Sequence, residues 1–163
     1  MLVAQLDGGC IRNPGGPAAA ACLIITIEGN EIHRASKFLE AGPKMTNNVA
    51  EFEGLNLIFD WLLQQNYGQR IHIVSDSQIL INRMNGKLRK PPAGHFAKIA
   101  IACVNLNSVL RKVHTISYEW KPRMHNEICD EMCSREMKSH KEKSKVPSYM
   151  NDHKGYRYGT EII

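Results

Sequence analysis

The chain has 163 residues, 43% hydrophobic and 23% charged, with 21 Lys and Arg against 16 Asp and Glu for a formal charge of +5. That is one domain's length with room for a sizeable core. The balance excludes a disordered, highly charged chain, and the lack of ~18 consecutive apolar residues excludes a helical membrane span.

LVAQLD (2–7) is an apolar run stopped by Gly8-Gly9, which predicts a strand ending at Asp7. The glycine-rich LDGGCIRNPGG that spans this end lacks the Lys-Ser/Thr of a Walker loop and the G-x-G-x-x-G spacing. AAACLIITIEGNEIHRASKFLE follows as two β-branched runs around the turn EGNE, a hairpin, so three antiparallel strands are expected over residues 2–40.

The period then changes. Val49, Phe52, Leu55, Ile58, Phe59 and Leu62 recur at three- and four-residue steps, one face of a helix capped by Thr46 or Asn47 and closed by Gly68. RIHIVSD (70–76) is a fourth strand, and Ser77 caps a short helix through QILINRM. A basic interlude, NGKLRKPPAGH, leads to the helix FAKIAIACVNLNSVL. In HTISYEWKP, Ile116, Tyr118 and Trp120 alternate with polar residues as a half-buried strand, and HNEICDEMCSREM begins a last helix. The order β-β-β-α-β-α-α-β-α is an α/β pattern: a mixed sheet with helices packed on it.

Five cysteines are an odd number in a chain too long to need disulfide staples, so reduced thiols are expected. Cys129 and Cys133, with His125 and His140 near, mimic a zinc cluster but lack a C-x-x-C pair, and buried helical thiols fit them better. The opening residues lack the basic start and apolar middle of a secretory signal, which predicts a cytoplasmic address. After residue 138 apolar periodicity fades; this basic tail is expected to be partly disordered or docked on the body, with a core domain over 1–137.

Four acids share one kind of position: Asp7 and Asp76 at strand ends, Glu51 and Asp130 in the first turns of helices. If the first and fourth strands are parallel neighbours, Asp7 and Asp76 emerge together at the edge where α/β sheets usually place their sites. Packing alone would not gather four carboxylates, whereas hard divalent cations want oxygen ligands and two such ions can clamp a phosphoryl displacement. For any one of these acids, plain surface exposure is the simpler reading.

LDGGCIRNPGG, TNNVAEFEGL, VSDSQ and PRMHNEICDEM resemble, in order, the four signature segments of the type 1 ribonuclease H family, over residues 1 to about 137. The resemblance implies a five-stranded mixed sheet of order 3-2-1-4-5 with helices on both faces. It also implies an endonuclease that cuts the RNA strand of an RNA–DNA hybrid, leaving 5′-phosphate and 3′-hydroxyl ends. Matching positions make Asp7, Glu51, Asp76 and Asp130 the ligands of two Mg²⁺ ions, with Mn²⁺ as a substitute. Gly8, Cys10, Asn13, Thr46, Asn47, Asn48 and Gln78 become substrate contacts; amide side chains both donate to and accept from a ribose 2′-OH. Without the resemblance, Asn13 reads as turn chemistry and Asn47 as a helix cap.

WKPRMHNEICD is short and lacks the histidine-bearing loop of many bacterial members, which resembles the archaeal-type subgroup and makes Arg123, rather than His125, the expected catalytic helper. Lys87, Arg89 and Lys90 stand roughly where bacterial enzymes carry a longer basic protrusion, either as a solvated loop or as a hybrid-backbone contact. A monomer with no membrane or obligate protein partner is expected. Two alternatives stay open: a resolvase-like nuclease of the wider superfamily, and a silent nucleic-acid-binding module.

Overall fold

The computed structural model describes residues 1–145; the later part of the expected tail, 146–163, lies outside the described residues. Five strands form one sheet of order β3-β2-β1-β4-β5. Their spans are β1 Leu2–Cys10, β2 Ala18–Thr26, β3 Glu31–Leu39, β4 Arg70–Ser75 and β5 Thr115–Trp120. β1, β2 and β3 are antiparallel neighbours, and β4 lies parallel to both β1 and β5. The helices are α1 Asn47–Leu63, α2 Gln78–Met84, α3 Ala97–Leu110 and α4 Glu127–Lys145, the last preceded by a 3₁₀ turn at Arg123–His125.

The core follows the alternation along the strands. Ala4 and Leu6 of β1, Ile71 and Ile73 of β4, and Ile116 and Tyr118 of β5 share one core cluster with Phe52, Leu55, Ile58, Phe59 and Leu62 of α1. Five of the six residues expected on the α1 apolar face are fully buried, and Val49 is half-buried at the helix start. On the opposite face, Ala19, Ala21 and Leu23 of β2 meet Cys129 and Cys133 of α4. The run of alanines at 18–21 gives both faces of β2 small side chains, which lets helices settle close on each side. All five cysteines are free, and all but Cys10 are buried, in keeping with reduced core thiols.

Four sequence expectations change. β1 does not end at Asp7 but continues through both glycines to Cys10, because β2 keeps pairing with it as far as Cys10↔Ala18. α1 ends at Leu63 with Gln64 as its cap, and Gly68 instead sits where a Cβ would press on the Val113 carbonyl oxygen. Trp120 is 42% exposed rather than turned to the core, and its indole N–H donates to the Asp76 carbonyl. α4 continues to Lys145, so residues 138–145, expected to begin the tail, are helical.

Candidate active site

The parallel register of β1 and β4 places the first two acids. Its last pair is Gln5↔Val74, so Asp7 and Asp76 each lie two residues beyond it and emerge side by side at one sheet edge. Past that pair β1 is held only by β2, which opens the sheet beside Asp7.

Glu51 reaches the same edge because α1 lies almost against β1. A Cβ at Gly8 would fall inside the backbone of Ala50 and Glu51, and one at Gly54 would come 2.9 Å from the Asp7 carbonyl oxygen. Glycine at both positions therefore sets the approach of helix to strand and carries Glu51 to Asp7. Gly8, expected to touch substrate, has this packing role. Gly54 escaped notice in the sequence because the apolar period of α1 runs through it; a glycine in a helix interior, where it costs stability, was the available signal.

Carboxylate oxygens of Asp7, Glu51 and Asp76 all lie within 4.8 Å of one another. Asp7 is 7% exposed, and one of its oxygens accepts from the Gly8 N–H at 2.9 Å. Glu51 Oε2 and Asp76 Oδ1 are buried with no hydrogen-bond partner among the described residues. Burial, and then the neighbouring Asp76 charge, push the Asp7 carboxyl up to about 7. Burial followed by the charges of Asp7 and Asp76 holds Glu51 well above the usual carboxylate range. A cluster that repels itself and leaves oxygens orphaned fits a hard divalent cation, whose ligands are such oxygens.

Asp130 lines the same cleft, of about 390 Å³, with Asp7, Glu51 and Asp76, but stands outside the tight trio. Its Oδ1 accepts from Arg123 Nη2 at 2.6 Å, and Arg123 lines the cleft as well. His125 is exposed and is not among the lining residues. Asn126 secures this corner: it is 3% exposed, and its Nδ2 donates to the Leu6 carbonyl at 2.6 Å, one residue before Asp7. Cys133 Sγ lies 3.6 Å from the Asp7 carbonyl oxygen, and Trp120 Nε1 donates to the Asp76 carbonyl at 3.0 Å. No sequence signal pointed to Trp120, whose place in a strand alternation suggested an inward side chain.

The polar residues around the cleft first brace one another. Thr46 Oγ1 accepts from the Val49 N–H at 3.2 Å and so caps α1. Asn47 Oδ1 accepts from Cys10 N–H at 2.9 Å, and Asn13 Oδ1 accepts from Asn47 N–H at 3.2 Å. The thiol of half-buried Cys10 donates to the Arg12 carbonyl at 2.6 Å. Cys10 and Asn47 line the cleft, Asn13 is exposed, and Asn48 is half-buried in the first turn of α1. Gln78 is exposed at the start of α2 and does not line the cleft.

A family model described as RNase H matches residues 2–161. The chain belongs to the RNase H family. This RNase H fold is similar to that of the N-terminal RNase H domain of a Mycobacterium tuberculosis protein, at 24% identity and a TM-score of 0.73 over 88% of this chain and 97% of that one. LC11-RNase H1, solved in complex with an RNA/DNA hybrid, aligns at 20% identity and a TM-score of 0.73, covering 86% and 99% of the two chains. RNase H1 of the halophilic archaeon Halobacterium salinarum NRC-1 gives 20%, 0.71, and 85% and 98%. A search of curated protein sequences finds no match. The RNase H sheet order is the one the family resemblance implied, and no helix among the described residues is long and apolar enough to cross a membrane.

Proposed function

We propose that the chain is a type 1 ribonuclease H of the archaeal-type subgroup, an endonuclease that hydrolyses the RNA strand of RNA–DNA hybrids. The observation that carries this reading is the trio Asp7, Glu51 and Asp76, which lines one cleft with buried, unpartnered oxygens on Glu51 and Asp76, within a matching RNase H chain. Asp7, Glu51, Asp76 and Asp130 would hold two Mg²⁺ ions, or Mn²⁺ in their place. Such ions, when bound, supply Lewis acidity at phosphate oxygens and lower the pKa of water.

The chain's own residues divide the remaining work. Water adds to phosphorus as the bond to the 3′ oxygen breaks, which leaves a 3′-hydroxyl on one fragment and a 5′-phosphate on the other. Arg123 screens the scissile phosphate, and releasing Asp130 from their 2.6 Å pair frees that carboxylate for a cation. Asn13 and Asn47 use their side-chain oxygens as braces, so their amino groups are left to meet ribose 2′-hydroxyls. Cys10, Thr46, Asn48 and Gln78 stand at the margin of this surface as the further sugar and backbone contacts, with Gly8 admitting α1.

The test is parallel cleavage of labelled RNA–DNA hybrid, double-stranded RNA, double-stranded DNA and branched DNA in Mg²⁺. Cleavage of the hybrid's RNA strand is expected. Preference for branched DNA would point to a resolvase-like enzyme, and cleavage of none would point to a binding module.

A further inference from the structure

A second cavity, of about 440 Å³, lies on the far side of the β1–β2 loop from α1, between that loop, the β3 edge and α4. Ile11 and Met137 line both this groove and the acidic cleft, so the two are separated only by a shared apolar ridge. Ile11 is 56% exposed at its crest, an unusual place for a branched apolar side chain.

The groove's wall holds a preformed aromatic platform. Phe38 and His140 stack with ring centroids 3.8 Å apart and planes 4° from parallel. Glu136 fixes the histidine: its Oε1 lies 3.5 Å from His140 Nε2, while its Oε2 accepts from Ser36 Oγ at 2.9 Å. Held this way, the His140 side chain stays 36% exposed. Arg12 lines the groove opposite, exposed and without a side-chain ion pair among the described residues, and Pro17 adds apolar floor. Glu40 is the one acid on a wall that also carries Lys141.

We infer that this groove takes the RNA strand where it leaves the hybrid, seating one unpaired nucleotide with its base on the Phe38–His140 platform and its phosphate at Arg12. The inference rests on the hybrid-nuclease reading, because that reading puts an RNA phosphodiester in the adjoining cleft. An apolar, ring-walled groove with one free guanidinium suits a splayed base beside a phosphate, since base–aromatic stacking needs only a flat face and tolerates any sequence. A paired duplex would present no free base face to it. Substrates with an RNA extension beyond the hybrid would therefore bind more tightly than flush ones.

The test compares full-length protein on a flush hybrid and on hybrids whose RNA runs a few nucleotides past the DNA at the 5′ or the 3′ end. KM is measured in Mg²⁺, and affinity for a labelled single-stranded oligoribonucleotide is followed by fluorescence anisotropy without divalent cations. One of the two extensions is expected to lower KM about tenfold, the order that stacking of a single base supplies. Arg12→Gln and Phe38→Leu should each remove most of that gain, and both should weaken oligoribonucleotide binding. Equal KM for flush and extended hybrids overturns the groove assignment and leaves hybrid cleavage standing. A gain that survives both substitutions, or one seen only after residues 146–163 are removed, overturns it as well; the latter makes the chain's own tail the occupant. If no hybrid is cut, the nuclease reading has failed, and the anisotropy arm still judges the groove.

Discussion

Strand β4 carries two polar clusters, and they settle their charges in opposite ways. Midway along it, His72 sits between two partners on β5: its Nδ1 is 2.7 Å from Ser117 Oγ and its Nε2 is 2.6 Å from Glu119 Oε2. The parallel register sets His72 beside Ser117, and Lys121 Nζ stands 4.0 Å from Glu119. The hydrogen bond from His72 draws the Glu119 carboxyl below the usual range. Just past the end of the same strand, Asp76 meets Asp7 and Glu51 with no cation of the chain inside the trio, and two of their oxygens find no partner among the described residues. The first cluster completes itself on folding. The second opposes folding until something positive arrives, so stability does not account for it.

The largest expected effect breaks the second cluster. Asp76→Asn should lower hybrid cleavage at least ~10³-fold, about 4 kcal/mol of barrier, in a protein whose circular dichroism is unchanged. Cleavage retained by the folded variant would refute the assignment of the trio.

Next comes stability. Asp7 titrates at about 7 in the fold against an ordinary 3.8, so the fold favours its neutral form. The associated stability is fully present below pH 3.8 and lost as pH rises through 7. Asp7→Asn should therefore stabilise metal-free protein at pH 8 by at most about 4 kcal/mol, read as a higher melting temperature, and have little effect at pH 3. Added Mg²⁺ should stabilise the wild type more than the variant. A variant less stable than wild type at pH 8 would contradict the charge strain described for the trio.

A smaller difference separates Arg123 from His125. Arg123→Ala should reduce turnover about tenfold, as expected for one lost cationic contact to a reacting phosphate, and His125→Ala should change it little. Equal losses, or the reverse order, would remove Arg123 from the proposed mechanism. Smallest of all, Glu119→Gln should alter stability by less than about 0.5 kcal/mol, because the pair is largely in solvent, and should leave cleavage intact. A marked loss of cleavage there would dissolve the contrast between the clusters.

Much of this was legible in one dimension. Apolar steps of three and four located α1, a compact run located β4, alternation located β5, and the order of elements limited the sheet to a mixed one. Ser77 as the cap of α2 was readable because capping is local, and the α1 cap was narrowed to Thr46 or Asn47, of which Thr46 is the one used. The end of β1 was misplaced because glycine punctuates a strand only when no neighbour continues the ladder, and here β2 does. Trp120 was misplaced for a related reason, since alternation assigns a face but does not say how far the helices cover it.

For the site, the sequence by itself determined the candidates: four acids at element ends and an asparagine-bearing loop, in an order that resembles one family. Only the tertiary structure decided how they divide. The Gln5↔Val74 register and the glycine contacts of α1 gather Asp7, Glu51 and Asp76, while Asp130 stands just outside that set and pairs with Arg123. The physical reason is distance in the chain. Residue type and local period are properties of neighbours in sequence, whereas the burial and mutual repulsion that raise Asp7 and Glu51 exist only once strands and helix have met.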